Sequence, residues 1–147
     1  MEKDFAAHLR QTVEQAAAEL RRIGEDRAAT PGAGGEWSRK EELGHLLDSA
    51  TNNHQRFARA ALDGEYRGPG YEQDRWVSLH GYRELPWTLL VDLWQRHNWM
   101  LAHLVARIPP ERLEAQCIIG DRPPVTLRYV VEDYVAHLKH HLERIMR

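Results

Sequence analysis

Residues 125–145 read VTLRYVVEDYVAHLKHHLERI, and the spacing of their apolar members decides the fold. Leu127, Val130, Val131, Tyr134, Leu138, His141, Leu142 and Ile145 recur at three- and four-residue intervals. A helix starting at about Thr126 turns all of them to one side. Such a stripe is buried only against other amphipathic helices, and three more precede it. The first runs from roughly Phe5 to Ile23 and is rich in Ala, Leu, Glu, Gln and Arg, all good helix formers. It ends in GEDRAATPGAGGE, where Pro31, Gly32, Gly34 and Gly35 make a loop. Ser38 and Glu41 form an S-x-x-E capping box for the second helix, with Trp37 before it as the staple residue. Leu43, Leu47, Ala50, His54, Phe57 and Ala61 carry its stripe to about Leu62, ahead of Asp63-Gly64. The third helix has Pro86 in its first turn and Leu90, Trp94, His97, Leu101, Leu104 and Ile108 along one face. Pro109-Pro110 stops it.

The expected fold is therefore all-α, a four-helix bundle in a single domain spanning residues 1–147. The short first loop favours antiparallel neighbours for helices one and two. The second connection, EYRGPGYEQDRWVSLHGYREL, opens on a Gly-Pro-Gly turn and has room for a short helix over Asp74–His80. A second long connection, with Pro123-Pro124, precedes the last helix, so crossovers are permitted. No segment alternates at period two for long enough to read as a strand, and Cys117-Ile118-Ile119 is too short to count alone.

Composition excludes several classes. With 147 residues, 42% hydrophobic and 29% charged, the chain has the balance of a folded globular protein. Twenty Lys and Arg against 22 Asp and Glu give a net charge of -2, without the basic excess of a nucleic-acid binder. No apolar run approaches the ~18 residues of a transmembrane helix, and MEKDFAAHLR lacks the apolar core of a signal peptide. A cytoplasmic protein with no membrane partner is the expectation. The single cysteine, Cys117, allows no intrachain disulfide and reads as a small apolar core residue.

Histidine is the informative residue, with nine copies. His137 and His141 lie one turn apart, so their side chains share a face at roughly 6 Å. Two imidazoles so placed can hold one metal ion, each nitrogen about 2.0–2.1 Å from zinc. His140 points about 100° away from His141. Histidines in a last helical turn also interact with the negative helix end, so a third ligand decides the matter. His54, on the apolar stripe of helix two, reads either as a ligand or as a core histidine bonded to a neighbour. His45 lies across the wheel, followed by Asp48, Ser49, Asn52 and Arg56. It reads either as a solvated histidine or as a ligand in a polar cleft. Periodicity does not choose between the two.

The strings GEWSRKEELGHLLDS, GPGYEQDRW and VTLRYVVEDYVAHLKHHLERI, in that order from about Glu36 to the C-terminus, resemble the DinB-like, damage-inducible superfamily. The resemblance implies a bundle of up-down-down-up order with a metal triad of His45, His137 and His141. It implies a divalent metal (Zn, Ni or Fe) with an open coordination position. It also implies thiol chemistry, because relatives include transferases and isomerases that use bacillithiol, mycothiol or glutathione. The expected function is thus a metal-dependent thiol S-transferase acting on a small molecule. The alternative is a non-catalytic metal-binding or stress-response interaction protein. The resemblance and the aromatic-rich third helix imply a homodimer.

Supporting roles follow by position. Glu41 and Asp133 each precede a candidate ligand by four residues and can accept its second N–H; Asp133 can instead bind the metal directly, a set that favours iron. Arg56 is a candidate receptor for a substrate carboxylate, set against an exposed helix arginine. Asn52, Tyr71 and Trp76 are candidate substrate contacts beside it, with Asp74 in the same loop. Tyr71 and Trp76 equally well plug the end of the core. Trp37, Trp87, Trp94 and Trp99 read as core or interface aromatics.

Overall fold

Ser38 starts the central helix as its sequence predicts. Its side chain accepts from the Glu41 N–H at 3.2 Å, and Glu41 Oε1 accepts from the Ser38 N–H at 3.0 Å. In the computed structural model, which describes residues 4–147, this cap opens α3, Arg39–Asp63. Gly64 closes it in the left-handed region at φ 81°, where glycine carries no Cβ penalty. The other long helices are α1 (Phe5–Leu20), α5 (Trp87–Arg107) and α6 (Leu127–Met146). Two short ones sit in the connections, α2 (Glu25–Ala29) and α4 (Gln73–His80).

Cross-helix contacts fix the directions. Trp87 Nε1 donates to the Leu20 carbonyl at 2.8 Å and Gln95 Nε2 to Glu14 at 3.4 Å, so α1 and α5 are antiparallel. Lys40 Nζ reaches the Arg83 carbonyl at 3.3 Å and His54 meets His97 at 3.1 Å, so α3 and α5 run parallel. Arg39 Nε donates to the Ile145 carbonyl at 2.9 Å while His45 meets His137, so α3 and α6 are antiparallel. The order is up-down-down-up. One expectation changes: α1 packs chiefly on α5 and, less, on α6, rather than beside α3. The first loop, with α2 and a 3-10 turn over Ala33–Gly35, carries the chain across the bundle instead of making a hairpin.

A small sheet was not expected. β1 (Glu65–Gly68) pairs in parallel with β2 (Gln116–Ile119), which pairs antiparallel with β3 (Val125–Thr126). Each strand is too short to show a period, and the ladder exists only because the two long connections meet. Gly120 N–H donates to the Gly68 carbonyl at 2.8 Å and extends the meeting.

The core runs through all four long helices, with Leu9, Leu20, Leu43, Phe57, Leu90, Trp94, Leu138 and Ile145 buried. His54 and Ala61, on the expected stripe of α3, are only half-buried. From Glu42 to Ala50, by contrast, α3 is buried on every side, because α5, α6, α4 and the turn at Tyr82–Glu84 all pack on it. At Gly44 the Tyr82 ring lies where a Cβ would sit, 2.0 Å from the ring carbon Cδ2. Tyr82 Oη donates to buried Asp48 Oδ1 at 2.5 Å, which anchors that ring. No helix among the described residues is long and apolar enough to cross a membrane.

Candidate metal centre

Because α3 and α6 run antiparallel, the first turns of α3 face the last turns of α6. His45 therefore meets both members of the HxxxH pair. Its Nε2 lies 3.1 Å from His137 Nε2, and its ring centroid is 4.9 Å from that of His137 and 4.5 Å from that of His141. One ligand atom from each of His45, His137 and His141 lies within 4.8 Å of the others. Two nitrogens on one tetrahedral ion stand about 3.3 Å apart, so the donor set fits a divalent ion with little movement. Asp133 is not in this group among the described residues.

Electrostatics prepares the same donors. Burial, reinforced by the neighbouring His141 and His137, pushes His45 down to about 4. Burial and then His141 push His137 down to about 4 as well. Both imidazoles are neutral near pH 7, the form that binds metal.

Orientation comes from a residue that sequence reading missed. Glu42 Oε2 lies 2.9 Å from His141 Nδ1, leaving Nε2 to turn toward the cluster, and Glu42 Oε1 accepts from Arg144 Nε at 2.9 Å. Burial pushes the Glu42 carboxyl up, but the His141 hydrogen bond and the charges of His141 and Arg144 outweigh it and hold the group below its ordinary value. Glu41, the residue expected in this role, is occupied by the cap at Ser38. The helix wheel contains the missed signal: Glu42 stands about 60° from His45, on the inward side. His45 Nδ1 is buried without a hydrogen-bond partner among the described residues, and the Trp37 ring packs at 5.1 Å.

Two cavities reach the cluster. The larger, about 680 Å³, has His137 in its wall. Ser49, Asn53 and Arg56 of α3 and Val130, Asp133 and Tyr134 of α6 form its sides, and Tyr71 closes it from the loop before α4. A cleft of about 290 Å³ approaches from the other side, with His141 in its wall and Trp37, Gln73, Asp74 and Arg144 around it. Gln73 borders both.

The structure thus brings together His45, His137 and His141, and places Arg56 and Tyr71 on the large cavity. Asn52 does not line it. Its Nδ2 donates to the Asp48 carbonyl at 2.9 Å, and Asn53, one step of 100° around the helix, lines the cavity instead. Trp76 borders a depression with Leu79, and its ring meets that of Tyr71 at a tilt of 59°, centroids 5.5 Å apart. His54 pairs with His97 away from the cluster. Cys117 is fully buried in β2, and burial pushes its thiol up, so it is no nucleophile.

A search of curated proteins returned no match. Among solved structures, the fold is similar to YfiT from Bacillus subtilis, described as a probable metal-dependent hydrolase with an unusual four-helix bundle topology. The TM-score is 0.83 at 21% identity, covering 99% of this chain and 86% of that one. The family profile of the DinB superfamily matches residues 7–145. The chain belongs to the DinB superfamily.

Proposed function

We propose that the protein is a metal-dependent enzyme that attaches a low-molecular-weight thiol to an organic electrophile. The observation that carries this reading is the three-imidazole cluster, reached by one cavity at His137 and by another at His141, with no fourth protein donor in the group among the described residues. A divalent ion held by His45, His137 and His141 supplies Lewis acidity that lowers the pKa of a thiol or a water at an open position.

The chain's own residues divide the remaining work. Glu42 keeps His141 in its ligating orientation. Trp37, Gln73, Asp74 and Arg144 offer the smaller, polar cleft to a hydrophilic thiol. Val130 and Tyr134 give the larger cavity an apolar wall for the electrophile, a small molecule by its volume. Asp74, in the wall of the cleft offered to the thiol, takes the thiol proton. The sulfur electron pair forms the new S–C bond, and the leaving group departs with the electrons of the bond it breaks.

A second reading, hydrolysis with water as the nucleophile, is favoured by the description of YfiT. One set of assays separates them. Protein stripped with a chelator and reloaded with Zn, Ni or Fe(II) is given 1-chloro-2,4-dinitrobenzene with glutathione, bacillithiol or mycothiol. In parallel it is given p-nitrophenyl acetate without thiol. Metal-dependent conjugation that disappears in His137→Ala supports the transferase. Thiol-independent ester cleavage with the same dependence moves the assignment to hydrolysis. Stoichiometric metal with neither reaction overturns both in favour of the non-catalytic interaction protein.

A further inference from the structure

We infer that the large cavity is built for an organic carboxylate, received by Arg56 at the end away from the histidines. This deepens the proposed function, since it takes that cavity as the place where the substrate lies. The anion site itself needs no metal.

Arg56 is only 9% exposed. A guanidinium keeps its charge when buried, so the fold must supply an anion or leave the charge uncompensated, which is strongly unfavourable. Elsewhere this protein supplies one. Lys40, 3% exposed, pairs with Glu25 at 2.8 Å. Arg56 has no carboxylate partner among the described residues. Its contacts are a long hydrogen bond to the Pro69 carbonyl, 3.4 Å, and the face of the Tyr71 ring, 5.8 Å from centroid to guanidinium carbon. The polar side chains beside it on α3 in the cavity wall, Ser49 and Asn53, are neutral. Asp121 and Asp133 also border the cavity but are exposed and do not pair with it. The guanidinium thus retains free donors in a 680 Å³ space that has room for the missing anion.

Position identifies the rest of the ligand. Arg56 follows His45 by eleven residues, which is about 16 Å along the helix and nearly the same azimuth. Its side chain leans back toward the N-terminal end of α3, as helical side chains do. The cavity that holds both Arg56 and His137 carries the apolar side chains of Ile119, Val125 and Val130 and the Tyr134 ring alongside the polar Ser49 and Asn53. A ligand with a carboxylate for Arg56, an apolar part for these side chains and a reacting group for the histidine end fits this lining. A carboxylate can also come from the thiol co-substrate; the apolar walls favour the electrophile.

The test measures binding by calorimetry on chelator-treated, metal-free protein, so that its outcome is independent of the metal reading. The ligands are 4-phenylbutanoate, its neutral counterpart 4-phenylbutan-1-ol, and glutathione, which carries carboxylates without an apolar body. The acid is expected to bind wild type more tightly than the alcohol. Arg56→Gln weakens the acid about 10- to 100-fold and leaves the alcohol unchanged, a split that a merely structural role does not produce. Arg56→Lys, which keeps the charge without the fork, falls between. Should Arg56→Gln fail to fold, the acid-over-alcohol preference of wild type and its reduction in Arg56→Lys decide. Arg56-dependent binding of glutathione in place of phenylbutanoate supports the anion site and assigns it to the thiol. Equal acid affinity in wild type and Arg56→Gln, or no preference for acid over alcohol in wild type, together with no Arg56-dependent binding of glutathione, overturns the inference.

Discussion

Glu42 Oε2 stands 2.9 Å from His141 Nδ1 across the α3–α6 interface, and this one contact sets which nitrogen of His141 faces the cluster. Glu42→Gln removes the charge and the pairing with Arg144. Metal affinity is expected to fall about 10- to 100-fold. Competition against a chromophoric chelator measures it, and an unchanged affinity shows that packing alone holds the ring.

Metal content distinguishes the two candidate histidines of α3. His45→Ala is expected to abolish stoichiometric metal in protein purified without immobilised nickel, as are His137→Ala and His141→Ala. His54→Ala leaves it intact, because His54 is bonded to His97 and not to the cluster. Elemental analysis of the four variants decides, and metal loss in His54→Ala alone is the contrary result.

Stability of the metal-free protein has a defined pH window. His45 and His137 have an ordinary value of 6.5 in the unfolded chain and about 4 in the fold, because burial disfavours the charged ring. Below 6.5 the unfolded chain therefore binds protons that the folded chain does not. Stability is full above 6.5, declines as pH falls toward about 4, and loses nothing more to these groups below that. Glu42 acts lower. Its folded value is below 4.5, so its contribution is present above 4.5 and is lost as pH falls through the folded value. Thermal unfolding from pH 7.5 to 4.5 is expected to decline less steeply in the His45→Gln/His137→Gln double variant. Parallel curves contradict the account.

Gly44→Ala tests the close approach of Tyr82. Alanine favours the helix by ~1 kcal/mol, but its Cβ lies 2.0 Å from a ring whose hydroxyl is tied to Asp48. Overpacking dominates, with a net loss of about 1–3 kcal/mol. Denaturant unfolding reads the loss. It is expected to shrink in a Tyr82→Ala background, where the colliding ring is absent.

Much of the architecture is legible in residues 5–146. Ser38 and Glu41 mark the start of α3, Pro86 that of α5, and three- and four-residue spacing marks α6, because these signals act within a few residues of one another. The strands at Tyr66 and Cys117 give no such signal, since their hydrogen bonds join segments about fifty residues apart. The choice of His45 over His54 came from family resemblance, and the antiparallel meeting of α3 and α6 explains it physically. Asn53 and Glu42, each one position from the residue expected, differ from it by 100° of helix rotation. That is enough to exchange a helix cap or a backbone hydrogen bond for a ligand contact or a place in the cavity wall.

By itself the sequence determined that four amphipathic helices must bury their stripes together and that His137 and His141 share one helix face. Both are properties of a 3.6-residue period. Only the tertiary structure decided that α1 lies against α5, that His45 completes the cluster with Glu42 behind it, and that Arg56 is buried without a carboxylate partner among the described residues. Periodicity specifies what a face carries; which face it meets depends on the course of the connections and on packing between distant segments.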